Sequence, residues 1–238
     1  MIRYGNTESA WREVKQTIES AIVSSNAKRI LEVGAGANPL FPEEFLVKYG
    51  ITYTALDISS DELAKAPDCY QKITADICSP NLEVDGKYDF IFSRMLAEHV
   101  SNGSAFHRNV FSLLAPGGRA FHFFPTMWAP PFVLNRLLPE RFAEVILHIF
   151  QSGRESHGKL GKFPAYYSWC RGPTTSQIDR LQSVGYKVES YVGFFGHRGY
   201  YVKFPTLLKI HDKISAWLIL HPNPWLTSFA HLTLQKSK

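Results

Sequence analysis

Apolar residues recur at helical spacing across residues 7–25, where Trp11, Val14, Ile18 and Ile22 share one face. The next apolar run, Ile30 to Val33, reads instead as a buried parallel strand at about 29–34, interrupted by the single acid Glu32. Downstream the two patterns alternate. A short helix opens at Pro42 and stops at Gly50, and a strand follows at about 51–57. Ser59 or Ser60 caps a helix over 60–66, and strands follow at about 70–75 and 87–93. A helix near 103–114 ends before Pro116, and Gly117–Gly118 turn the chain into a strand at about 119–124. Thr174 with Gln177 resembles a capping box for a helix closing at Gly185. A strand at about 186–195, a helix at about 205–220 and a strand at about 225–235 complete the pattern. Seven strands alternating with helices predict an α/β protein with a mostly parallel sheet covered on both faces.

Residues 125–172 stand outside this alternation, because a connection between a strand and its helix is ordinarily a few residues long. The segment is rich in aromatics and carries Arg154, His157, Lys159, Lys162 and Arg171, opposed between 154 and 171 only by Glu155. Its root lies at the carboxyl end of a strand, where open α/β sheets bind ligands, so a lid or substrate pocket is expected there. An embellishment that merely extends the core is the plainer alternative.

The chemistry begins at Ile30-Leu31-Glu32-Val33-Gly34-Ala35-Gly36-Ala37-Asn38-Pro39. Two glycines one residue apart let a backbone turn tightly and approach a ligand without a Cβ in the way. The dinucleotide fingerprint is not met, since its third glycine falls on Pro39, which lacks the backbone donor a pyrophosphate needs. Asp57 ends the second of these strands at about the 20-residue distance expected of an acid that accepts ribose hydroxyls.

Glu32-x-Gly34-x-Gly36-x-Asn38 resembles the first motif of the class I S-adenosylmethionine (SAM) methyltransferases, of the small-molecule, type 11-like kind. Thr54–Ile58 with Asp57, Ala75-Asp76-Ile77, Tyr88–Ser93 and Leu113–Arg119 match that family in order, across about Arg29 to Phe124. The resemblance implies one Rossmann-like SAM-dependent methyltransferase domain over 1–238, with the last strand antiparallel beside the 119–124 strand. It implies SAM as cofactor and S-adenosylhomocysteine as product. It also implies a cofactor site of Glu32, Gly34, Ala35, Gly36, Asn38, Asp57, Ile58, Asp76, Ile77, Ser93 and Arg94. In that site Asp57 takes the ribose, Asp76 with Ile77 the adenine edge, and Glu32 supports the methionine ammonium. A buried acid without a cation would be costly, which favours that role for Glu32.

A sulfonium methyl is already activated, so the protein supplies mainly orientation and a dry site. Glu98-His99-Val100 resembles the tripeptide of small-molecule members, and His99 is weighed as a general base against packing beside the cofactor. His157 is the other candidate base, while His122 reads as a core histidine. Met95 stands where a metal-using RNA subgroup carries a second acid, so no metal is expected. Asn-Pro-Pro-aromatic and Pro-Cys motifs are lacking, and Ala129-Pro130-Pro131-Phe132 lacks the leading Asn or Asp. Tyr166, Tyr167 and Arg171 are expected at the wall of an acceptor pocket.

Composition narrows the remaining classes. A net charge of +5 over 238 residues, with acids and bases intermixed, falls short of a nucleic-acid binder. Cys69, Cys78 and Cys170 have no metal spacing and suit reduced thiols in a cytoplasmic protein. No apolar run reaches the length of a membrane span, and no signal peptide opens the chain. The expected function is methyl transfer, to oxygen, on a small-molecule or glycan/lipid-linked acceptor. The alternatives are an RNA methyltransferase and a non-catalytic SAM-fold partner subunit. Helix 205–220 with Trp217 and Trp225 is weighed as a peripheral membrane contact against buried packing, and buried packing is favoured.

Overall fold

A computed structural model describes residues 1–127 and 164–237. Residues 128–163, which hold His157 and most of the expected lid, lie outside the described residues. In chain order the elements are β1 Ile2–Asn6, α1 Thr7–Ser25, β2 Arg29–Val33, α2 Glu43–Tyr49, β3 Thr52–Asp57 and α3 Ser60–Lys65. Then come β4 Gln71–Thr74, β5 Tyr88–Arg94, α4 Gly103–Leu113, β6 Leu114–Pro125, α5 Thr175–Val184, β7 Tyr186–Phe195, α6 Pro205–Leu220 and β8 Phe229–Lys236.

These strands form one eight-stranded sheet in the order β1-β7-β8-β6-β5-β2-β3-β4. Only β8 runs antiparallel, between β6 and β7. Seven of the strands are those expected, and the antiparallel last strand beside β6 is where the family pattern puts it. The eighth, β1, corrects the expected count. Its Ile2-Arg3-Tyr4-Gly5-Asn6 has no apolar alternation, and it forms because β7 offers an open edge to pair with in parallel. The final strand starts later than expected, at Phe229, because Pro224–Leu226 closes a 3₁₀ turn capped by the Asn223 side chain.

Local signals explain the helix ends. Asn6 accepts from the Ser9 amide at the start of α1, Ser59 from Glu62 at α3, and Thr174 from Gln177 at α5. Gly50 and Gly185 end α2 and α5 with positive φ. One sheet face packs Ala10, Ile18, Ile22, Leu46 and Leu63, from α1 to α3, against Ile30, Tyr53, Phe90 and Phe92. The opposite face packs Phe106, Val110 and Leu181, from α4 and α5, against Leu31, Ile91 and Leu234. Because β3 and β5 flank β2 on opposite sides, the chain reverses direction there and leaves a crevice at the carboxyl ends of β2 and β5.

Candidate cofactor and active site

The crevice is shaped by the turn that leaves β2. Gly34 and Gly36 take φ of 75° and 53°, conformations that strain any residue with a Cβ. The Gly34 and Ala35 amides donate to the Leu56 carbonyl at 2.7 and 3.2 Å, which locks the turn onto β3. A Cβ on Gly34 would sit 2.8 Å from Leu96 Cδ1, whereas among the described residues one on Gly36 would find only Asp57 Oδ2, at 3.8 Å. Gly34 is therefore needed for packing, and Gly36 borders open space on the ligand side.

Asp57 joins the two sides of that space. Its Oδ2 accepts from the Gly36 amide at 2.9 Å and its Oδ1 from the Ser59 amide at 3.0 Å. Both oxygens keep further lone-pair capacity for hydroxyl donors. Beside it Ile58 leaves most of its side chain in solvent, a flat apolar surface of the kind that packs on an aromatic base. Asp76 lies past β4, exposed, with Oδ1 accepting from the Cys78 amide at 2.8 Å. Ile77 is buried beneath it, and its carbonyl accepts from Asn109 Nδ2 at 2.7 Å. Asn38 is exposed, and its carbonyl lies 3.4 Å from Arg94 Nη2.

The deepest group is Glu32, 1 % exposed. Arg94 at the end of β5 donates to its Oε1 from Nε at 3.0 Å and from Nη2 at 2.6 Å, a charge-assisted ion pair converging on one oxygen. The Leu40 amide and the Tyr53 hydroxyl donate to Oε2. Burial pushes the carboxyl above its usual range, and Arg94, Tyr53 and Leu40 oppose that push. The cation that Glu32 requires is thus a side chain of this protein. Sequence reading missed that pairing, and Tyr53 with it, because contact between β2, β3 and β5 depends on register across the sheet. Ser93 turns inward, 2.8 Å from His122 Nδ1, leaving its backbone toward the crevice. His122 is wholly buried in the core, as expected.

The chain then passes over the cofactor side through Met95, whose φ of 51° is unusual for a side chain of its size. The 3₁₀ turn Ala97–His99 follows. Glu98 is buried, and its Oε2 has no hydrogen-bond partner, so desolvation raises its pKa to about 7. His99 Nε2 lies 3.7 Å from Glu98 Oε1, and its Nδ1 lies 3.1 Å from the Pro164 carbonyl. The sequence names His99 but gives no sign that Glu98 is buried. The Glu98 carbonyl also accepts from the Tyr166 and Tyr167 amides, so residues 164–173 close against this turn.

The three residues expected at the acceptor wall separate here. Tyr166 is half exposed, while Tyr167 packs into the core with a φ of 51°. Arg171 Nη1 donates to the carbonyls of Tyr167 and Cys170 at 3.0 and 3.2 Å, bracing that turn. No group of three or more His, Cys, Asp or Glu able to hold a metal occurs among the described residues.

Comparison with known proteins agrees with this architecture. Solved structures with the same fold include the phosphoethanolamine N-methyltransferase 2 of Haemonchus contortus, in complex with phosphomonomethylethanolamine and S-adenosylhomocysteine. It matches with a TM-score of 0.59 at 14% identity, over 95% of this chain and 53% of that one. The magnesium protoporphyrin IX methyltransferase of Synechocystis, with bound S-adenosylhomocysteine, gives 0.55 at 12% identity over 96% and 84%. A curated relative, the ubiquinone biosynthesis O-methyltransferase of Pseudomonas entomophila, is 28% identical over 158 residues, 63% of this chain and 65% of the relative. The chain thus spans about two thirds of that relative and about half of the nematode enzyme. A methyltransferase-domain family model matches residues 7–158, well over half of the chain, and the protein belongs to that family, in the class I fold that the motifs from Glu32 to Arg119 resemble.

Proposed function

We propose that the protein transfers the methyl group of SAM to an oxygen of a small-molecule or lipid-linked acceptor at the carboxyl edge of β2, β3 and β5. The observation that carries this reading is the open space beside Gly36, bounded by the Asp57 carboxylate and the exposed face of Ile58. It suits a ribose carrying two free hydroxyls and an adenine, with no pyrophosphate to bind. Asp76 and Ile77 follow β4, whose Thr74 pairs with Asp57, and in this reading they take the adenine edge. Two hydrogen bonds from Arg94 to one Glu32 oxygen hold the guanidinium at the end of β5, and in this reading it receives the methionine carboxylate. In this arrangement Glu32 acts through Arg94, and the ammonium group rests on backbone carbonyls of the turn.

SAM supplies the electrophilic methyl, and the chain aligns and desolvates the acceptor. An oxygen acceptor gains from a base, and His99 beside Glu98 is the described group suited to that task. The expected base His157 lies outside the described residues. The oxygen preference draws support from the O-methyltransferase relative and from this histidine.

Calorimetric titration with S-adenosylhomocysteine tests the cofactor site. Asp57→Asn should weaken binding by tenfold or more, about 1.4 kcal/mol, because two ribose hydroxyls lose a charged acceptor. Unchanged affinity would remove Asp57 from the site. Transfer of labelled methyl from SAM to a panel of phenols, acids and lipid extracts then tests the acceptor. His99→Gln should lower turnover about 10²-fold while leaving S-adenosylhomocysteine affinity intact. A parallel loss of affinity would assign His99 to packing.

A further inference from the structure

The surface of α6 contradicts the usual economy of an amphipathic helix. Its side chains facing the protein are few, and Leu218 is its only buried residue. Its outward face carries Leu207, Ile210, Ile214 and Trp217, spaced three and four apart and each about half exposed, with Ile210 at 51% and Trp217 at 57%. Exposed apolar residues scattered singly need no explanation, but a continuous stripe four residues long does. Helical spacing sets Lys209 and Lys213 along one border of the stripe, and both are exposed. The sole acid of the helix, Asp212, is turned away and engaged with His211 Nδ1 at 3.0 Å and Arg198 at 3.5 Å.

The stripe itself walls a groove of about 300 Å³. Leu207, Ile210, Ile214, Leu218 and Leu226 supply its apolar lining. Polar atoms at its floor are already satisfied within the protein: the His197 amide donates to His211 Nε2, and His197 contacts Ser228 and Tyr201. Burial and the neighbouring His211 lower the pKa of His197 to about 4, so His197 adds no charge to the groove at neutral pH.

We propose that α6 lies in the plane of an anionic phospholipid membrane, with the Leu207–Trp217 stripe in the acyl boundary and Lys209 and Lys213 at the phosphates. An apolar stripe with tryptophan, lysines on its flank and no free acid is the pattern of an interfacial helix. The charge pattern favours this occupant over a second copy of the chain, because an antiparallel two-fold pair would set Lys209 and Lys213 of one copy against those of the other and a parallel pair would leave all four lysines without a complementary charge. The fold gives the contact a purpose. α6 joins the carboxyl end of β7 to the start of β8, so its connections leave and rejoin the sheet on the side that holds the Gly34–Gly36 turn. A membrane bound there would face the acceptor side. The docking itself does not depend on methyl transfer.

Co-sedimentation with vesicles tests it, comparing pure phosphatidylcholine with mixtures holding about one-third phosphatidylglycerol. The wild-type chain should pellet with the anionic vesicles, less so as salt rises, and stay in solution with the neutral ones. Ile210→Glu and Trp217→Glu should each lower partitioning by more than about tenfold. The double variant Lys209→Glu/Lys213→Glu should lower it by about fivefold per charge and remove the salt dependence. All variants should keep the wild-type thermal midpoint and S-adenosylhomocysteine affinity. Three results would overturn the proposal. One is a wild-type chain that ignores anionic vesicles. Another is a dimer that Ile210→Glu dissolves without any lipid binding. The third is a fall in thermal midpoint showing the stripe packed against the protein.

Discussion

Two carboxylates, Glu32 and Glu98, lie almost equally buried, yet they have opposite circumstances. Glu32 has a guanidinium, an amide and a hydroxyl around it, whereas Glu98 Oε2 has no hydrogen-bond partner. Removing the cation from the first should be expensive. Arg94→Met should cost about 3 kcal/mol in urea denaturation at neutral pH. Much of that loss should return toward pH 5, as the orphaned Glu32 takes up a proton. For Glu98 the pH dependence runs in a definite direction. Its native pKa is raised to about 7 from an ordinary value of 4.5. Between those values the unfolded chain gives up this proton while the native protein keeps it. Stability from this group is therefore full below pH 4.5, falls as pH rises to about 7, and levels off beyond. The total is about 3 kcal/mol. Glu98→Gln should flatten that slope in thermal melts taken from pH 5 to 8. An unaltered slope would mean that Glu98 is ionised in the native protein.

At the level of elements, junctions that carry a local chemical signal were legible in the sequence. Asn6 ends β1 and caps α1 through the Ser9 amide, so Asn6→Ala should destabilise the protein by about 1 kcal/mol in chemical denaturation. The helix α1, the caps at Ser59 and Thr174, and the glycine stops at Gly50 and Gly185 are all written in side chains a few residues apart. The glycine turn after β2 and Asp57 at the end of β3 were legible in the same way. Contacts between distant strands were not legible. β1 has no periodicity of its own, the Glu32–Arg94 pair depends on the β2–β5 register, and Glu98 is buried by residues 164–173 arriving from elsewhere. Helix α6 was expected to bury its aromatics, and it exposes Trp217. Helical spacing identifies an apolar face but says nothing of what that face meets.

For the whole molecule, the eight strands make ligand binding and stability one equilibrium, since the turn that borders the crevice is hydrogen-bonded to β3 and to Asp57. S-adenosylhomocysteine at a hundred times its dissociation constant should add about 2.7 kcal/mol and raise the melting temperature. EDTA should leave both that gain and methyl transfer unaltered, given Met95 where a ligand acid would be needed. NAD should give no shift. The parallel pairing of β1 with β7 bears on how the protein comes into being on a ribosome. The Met1 amino group meets the Glu189 carbonyl, a contact spanning 188 residues, and Thr7 Oγ1 donates to the Phe195 carbonyl. At ordinary rates of synthesis β1 emerges about 10 to 40 s before its partner exists. During that interval it is an unpaired strand joined to an amphipathic helix, a natural handle for a chaperone and a place where wrong pairings can start. Rare codons upstream of β7 would lengthen that exposure and lower soluble yield.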